Sequence, residues 1–237
     1  MKNPLDPFKF WKRNDTTESP SASAAQSVKP ARAPSTSAHA SYQTSILKDF
    51  IASVTRKENP VVLDLGPVIG SNIEFFLNLG IKVYMEDFLA AYSNPKYSML
   101  VDEKITLNEQ QFFGENFDYA DQFFVGLICW DFLSYLEPKF ARVFVDRISA
   151  KMKPDSFVLG FFRTQKAAGP VPLHKYRISS ESFLEYIPLD RAMEIKKVYQ
   201  TRDVTQLFTE FNSQKFYLLK HQVLEVLLRK RSPAPTP

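Results

Sequence analysis

From Ser45 the apolar residues Ile46, Leu47, Phe50, Ile51 and Val54 recur at helical spacing, which predicts an amphipathic helix ending before Pro60. Val61-Val62-Leu63-Asp64-Leu65 is a short continuous apolar run, the pattern of a parallel strand buried on both faces. Gly66-Pro67-Val68-Ile69-Gly70 turns the chain. Ser71 or Asn72 is placed to cap a helix with Ile73, Phe76 and Leu77 on one face, and Gly80 is placed to end it. Residues 81–85 predict a second strand that stops at Glu86-Asp87. Strand, turn, helix, strand and acid make one right-handed βαβ unit, with its ligand edge at the carboxyl ends of the strands.

Residues 88–111 are polar and irregular apart from a short helix at Phe88–Tyr92. Residues 112–119 predict a third strand with Glu115, Asn116 and Asp118 at its end, and 123–129 a fourth running into Trp130-Asp131. Pro138 opens a helix carrying Phe140, Val143, Phe144, Ile148 and Met152 on one stripe, stopped by Lys153-Pro154, and 156–162 give a fifth strand. Residues 163–190, with Pro170, Pro172 and Pro188 among aromatic and basic side chains, read as an irregular excursion over the strand ends, a lid on the acceptor side. Arg163, His174, Lys175 and Arg177 would bias that lid toward an anionic acceptor. Thr201 is placed to cap a last helix, and 215–220 and 223–229, two residues apart, form an antiparallel hairpin.

Charge and composition narrow the function classes. The chain has 30 Lys and Arg against 26 Asp and Glu, but the excess lies in the tails at 1–40 and 229–237, leaving the body at 41–228 slightly acidic. A nucleic-acid groove in the folded part is therefore not indicated. Residues 14–41 carry almost no large apolar side chains and read as a disordered tail, preceded by an aromatic leader with Phe8, Phe10 and Trp11. No run approaches the ~20 apolar residues of a membrane span. The one cysteine, Cys129, excludes an intramolecular disulfide and a cysteine-based zinc cluster, so no metal is expected, and a reducing cytoplasm fits.

Only seven glycines occur in 237 residues, and two of them, Gly66 and Gly70, sit in the first turn. Such a pair at a strand end serves a sharp bend or the close approach of a ligand. Glu86 follows Gly66 by 20 residues, the offset of a ribose-binding carboxylate. A dinucleotide turn needs glycine at its third and sixth positions; counted from Gly66 these are Val68 and Ser71, which disfavours a pyrophosphate.

The pattern over about 45–229 resembles the class I S-adenosylmethionine-dependent methyltransferases, and in particular a bacterial branch of that superfamily. The carrying segments are Leu63 to Asn72, Glu86-Asp87, Cys129 to Leu136 and Met152-Lys153-Pro154-Asp155. The resemblance implies a Rossmann-like, doubly wound α/β fold whose mostly parallel seven-stranded sheet ends in an antiparallel hairpin strand. It implies S-adenosylmethionine as cofactor and a small molecule or protein side chain as acceptor. Asp64 would hold the turn or the cofactor's ammonium, Gly66 and Gly70 the turn itself, Glu86 with its neighbour Asp87 the ribose, and Asn116 and Phe117 the adenine edge and face. Asp131, Tyr135 and His174 are the catalytic candidates, with Asp131 either a cofactor-side or acceptor-positioning carboxylate or the cap of the next turn. Val68 stands where the family has a middle glycine, which keeps a second function open: a methyltransferase-like binding or regulatory module without turnover.

Overall fold

The computed structural model describes residues 40–219 and 222–232. The leader, with Phe8, Phe10 and Trp11, and the Pro-rich end from 233 lie outside the described residues.

In chain order the elements are β1 (Ala40–Gln43), α1 (Ile46–Val54), β2 (Val61–Asp64), α2 (Gly70–Asn78), β3 (Lys82–Met85), α3 (Phe88–Tyr92), β4 (Ser98–Val101), β5 (Lys104–Leu107) and α4 (Glu109–Glu115). They continue with β6 (Phe124–Ile128), α5 (Pro138–Lys151), β7 (Met152–Arg163), β8 (Val171–Ser180), β9 (Phe183–Met193), α6 (Thr201–Leu207), β10 (Phe211–Leu218) and β11 (Val223–Lys230).

The central sheet has the order β10-β11-β7-β6-β2-β3. β3, β2, β6 and β7 run parallel, whereas β11 is antiparallel to both β7 and β10. Alternate residues of the strands feed two cores on opposite faces: Val62, Ile128, Leu159 and Leu227 pack under α1 and α2, while Leu63, Leu127, Val158 and Val226 pack under α3 to α6. The fold is α/β and Rossmann-like, with helices on both faces. Gly80, at φ +71°, ends the chain's run through α2 as expected.

Among the described residues the sheet has six strands where seven were expected, because 112–119 is not a strand. Phe112 and Phe113 are adjacent and pack into the same core on one side of the sheet, which a helix face permits, whereas a strand sends neighbours to opposite faces. They belong to α4, whose start Asn108 caps by accepting from the Gln111 amide at 3.1 Å.

The segment after β7 is also regular. β8 and β9 pair antiparallel and join β1 in a separate three-stranded sheet of order β1-β9-β8. The prolines are tolerated because Pro172 lies on the edge strand, next to a register shift, and Pro188 lies on the part of β9 beyond its pairing with β1. Asn72 is not a cap: α2 starts at Gly70, and the buried Asn72 donates to Tyr176 O at 2.9 Å and accepts from the Ile178 amide at 2.8 Å. It thereby ties the small sheet to α2. Among the described residues no helix is long and apolar enough to cross a membrane.

Candidate functional site

From β2 the chain passes to β3 on one side and returns to β6 on the other, so the strand order reverses between β2 and β6. In an open parallel sheet the ligand crevice lies at the carboxyl ends of those two strands. Asp64 ends β2, and Cys129-Trp130-Asp131 follows β6.

Asp64 is buried, and its Oδ1 accepts from the Gly66 amide at 2.9 Å and from the Trp130 indole nitrogen at 2.6 Å. Oδ2 is buried without a partner among the described residues. Burial pushes the Asp64 carboxyl up to about 6, against the lowering pull of these two donors. A Cβ on Gly66 would lie 2.5 Å from Trp130 Nε1, so glycine is required here to admit the indole. Gly70 has no such neighbour within 4 Å and opens α2 in exposed surroundings. Val68 is 63% exposed and does not line the crevice.

On the next strand, the Glu86 amide donates to Asp64 O at 2.9 Å, which sets the acid beside the turn. The half-buried Glu86 carboxylate accepts a short hydrogen bond from the Tyr119 hydroxyl. Asp87 caps α3 by accepting from the Ala90 amide at 3.0 Å, and it also lines the crevice.

Asp131 does not cap with its side chain. Its Oδ2 accepts from Arg163 Nε at 3.1 Å, from Arg163 Nη2 at 2.9 Å and from the Tyr135 hydroxyl at 3.1 Å. Burial and the Asp131 charge raise the Tyr135 pKa. His174, on β8, faces the same crevice with Nδ1 lacking a partner among the described residues, and burial lowers its pKa.

Gly66, Asp87, Asp131 and His174 thus meet around one crevice, joined by Leu65, Trp130, Leu189 and Arg191. The open space there is about 20 Å³, room for roughly one water molecule. Asn116 and Phe117 are elsewhere. Asn116 caps the end of α4 by donating to Phe112 O at 2.8 Å, and Phe117 lines a different cavity of about 260 Å³ with Phe113, Phe144, Arg147 and Lys151. Within the segment 163–190, His174 and Leu189 line this crevice at the carboxyl edge, but two of the four cations expected to attract an anionic acceptor are already paired. Arg163 is paired with Asp131 and Arg177 with Glu185. Three residues that the sequence left without these roles complete the arrangement: Trp130 as donor to Asp64, Arg163 as partner of Asp131, and Tyr119 as partner of Glu86. A signal for Arg163 existed, since a cation ending one strand and an acid ending its neighbour make a complementary pair across the edge.

No protein-family model matches the chain, and no curated protein matches it. Among solved structures it is similar to the Burkholderia thailandensis 1,6-didemethyltoxoflavin-N1-methyltransferase, determined with 1,6-didemethyltoxoflavin and S-adenosylhomocysteine bound. The identity is 14%, covering 79% of each chain, with a TM-score of 0.46. It is also similar to an S-adenosylmethionine-dependent methyltransferase from Mesorhizobium loti, at 9% identity over 78% of this chain and 96% of that one with a TM-score of 0.43. A glycopeptide N-methyltransferase gives 14% identity over 78% and 94%, with a TM-score of 0.41.

Proposed function

We propose that the carboxyl edge of β2, β3 and β6 binds S-adenosylmethionine and that the chain is a methyltransferase. The observation that carries this reading is Asp64, a fully buried carboxylate with one oxygen unpartnered at a glycine turn on the switch-point edge. Buried acceptors of this kind are costly unless a donor arrives. The acceptors fit the cofactor: Asp64 would accept from its ammonium and Glu86 from its ribose hydroxyls.

When bound, the cofactor supplies an electrophilic methyl group on a sulfonium. The residues of this chain then orient an acceptor and manage its proton. His174 is the group suited to taking that proton, because it lines the crevice with Nδ1 unpartnered among the described residues and burial favours its neutral form. Asp131 is engaged with Arg163 and Tyr135, so it fixes the shape of the edge and acts through them as a positioning residue. Trp130, Leu65, Leu89, Phe132 and Leu189 give the crevice apolar walls that exclude water. They suit a small molecule or a side chain with an apolar body.

The second reading, a methyltransferase-like module without turnover, is favoured by the 20 Å³ of open space, far below the several hundred Å³ that a nucleoside cofactor occupies. One experiment separates the two. The full chain, incubated with methyl-labelled S-adenosylmethionine and a mixture of candidate acceptors, should transfer label and lose that transfer in His174→Ala. Cofactor binding with no labelled product from any acceptor would favour the module.

A further inference from the structure

The crevice that the fold reserves for a ligand is filled by a side chain of the protein. The Trp130 indole reaches from the end of β6 to the end of β2, donates to Asp64 and rests against the Gly66 backbone. It lies parallel to the Tyr176 ring, with centroids 4.8 Å apart and planes at 1°, and near-parallel to Phe161 at 5.6 Å and 11°. We infer that Trp130 is a specificity gate: its indole stands in for the ammonium of the cofactor at Asp64, and only a ligand carrying an ammonium beside its nucleoside displaces it. This inference rests on the reading that the edge binds S-adenosylmethionine.

The exchange follows from donor arithmetic. An indole offers one uncharged N–H, which satisfies Oδ1 and leaves Oδ2 buried and unpartnered. A primary ammonium offers three donors and a positive charge, so it can serve both oxygens with charge-assisted bonds roughly twice as strong as neutral ones. A nucleoside without that group gains nothing at Asp64 and must still open the aromatic stack. Displacement also frees Tyr176, whose hydroxyl is buried without a partner among the described residues and whose ring neighbours Tyr186 at 5.1 Å. The cofactor is therefore bound first, and its arrival uncovers polar atoms on the acceptor side.

The test uses the full chain carrying Trp11→Phe, which leaves Trp130 as the only tryptophan of the two. It is titrated with S-adenosylhomocysteine or 5′-methylthioadenosine, which lacks the amino-acid end, with calorimetry and tryptophan emission read in parallel. S-adenosylhomocysteine should shift Trp130 emission to the red with the same midpoint as the heat, while methylthioadenosine, which must open the stack with no return at Asp64, should give neither heat nor an emission shift over the same concentration range. In a second variant, Trp130→Phe, the competing donor is gone and S-adenosylhomocysteine should bind about tenfold tighter, since no closed population must first be opened. Binding without an emission change, an equal shift from methylthioadenosine, or unchanged or weaker binding to Trp130→Phe overturns the gate and leaves the cofactor reading intact. Binding to the variant alone supports a gate that is closed in the wild type. No binding to either protein overturns both.

Discussion

The Trp130 indole nitrogen donates to Asp64 Oδ1 at 2.6 Å, spanning the crevice between the ends of β6 and β2. This contact explains both why Gly66 must be glycine and why the crevice is nearly filled. A Cβ at Gly66 would collide with the indole at 2.5 and 2.6 Å. Gly66→Ala should therefore destabilise the protein by about 1–3 kcal/mol through overpacking. Combined with Trp130→Leu it should cost less than the sum of the single changes, as urea unfolding of the four proteins will measure. Strict additivity would mean that the indole is not what the alanine meets.

Asp64 makes stability depend on pH in an unusual direction. Its ordinary value is 3.8, and burial raises it to about 6 in the folded protein. Between those values the folded state holds the proton that the unfolded state has released, so stability falls as pH rises through the interval, by about 3 kcal/mol in all. Asp64→Asn keeps the acceptor for Gly66 and Trp130 without the charge. It should be more stable than wild type above pH 6, the advantage shrinking as pH is lowered toward 4, in unfolding curves recorded across that range. A difference independent of pH would contradict the assignment.

Arg163 and Asp131 form the other buried contact of the edge, with side-chain exposures of 21% and 5%. Arg163→Met leaves the Asp131 carboxylate buried without its cation and should cost about 3–5 kcal/mol. Adding Asp131→Asn should recover most of that loss in chemical denaturation. Failure to recover would show that the guanidinium stabilises through packing and not through the pair.

How much of this was legible in the sequence depends on how local each feature is. The unit β2-turn-α2-β3 is written in a continuous apolar run, two glycines and an acid, all within 26 residues, and it forms in that order, with α2 starting at Gly70 ahead of the expected Ser71 or Asn72 cap. Residues 112–119 misled because their aromatics suit either periodicity, and adjacent Phe112 and Phe113 resolve the choice only once a core is present. The small sheet was hidden for a different reason. β1 is four residues long and finds its partner in β9 about 140 residues later, while Pro172 and Pro188 sit where only a free strand edge makes them acceptable. In the site, Asp64, Gly66 and Glu86 stand out by spacing, but their partners lie 66 residues away for Trp130 and 33 for Tyr119. Such pairings follow from strand order, which spacing alone does not encode.

Glu86 and Asp87 are neighbours with separable roles. Glu86→Ala should weaken S-adenosylhomocysteine binding by about 1.5–3 kcal/mol through loss of the ribose contact. It should leave the unfolding temperature nearly unchanged, because Glu86 and Tyr119 are both within reach of water. Asp87→Ala removes the cap of α3 and should cost about 1 kcal/mol of stability while sparing affinity. Binding and melting curves on the two variants check the division, and a swap of the two effects would reverse it.

The most direct measurement is competitive calorimetry on the purified full chain, with S-adenosylhomocysteine and NAD as ligands. The turn offers one carboxylate for an ammonium and lacks the glycines that admit a pyrophosphate, so S-adenosylhomocysteine should bind with micromolar affinity and NAD more weakly. Equal or tighter binding of NAD, or no heat from S-adenosylhomocysteine with either the wild type or Trp130→Phe, would contradict the account.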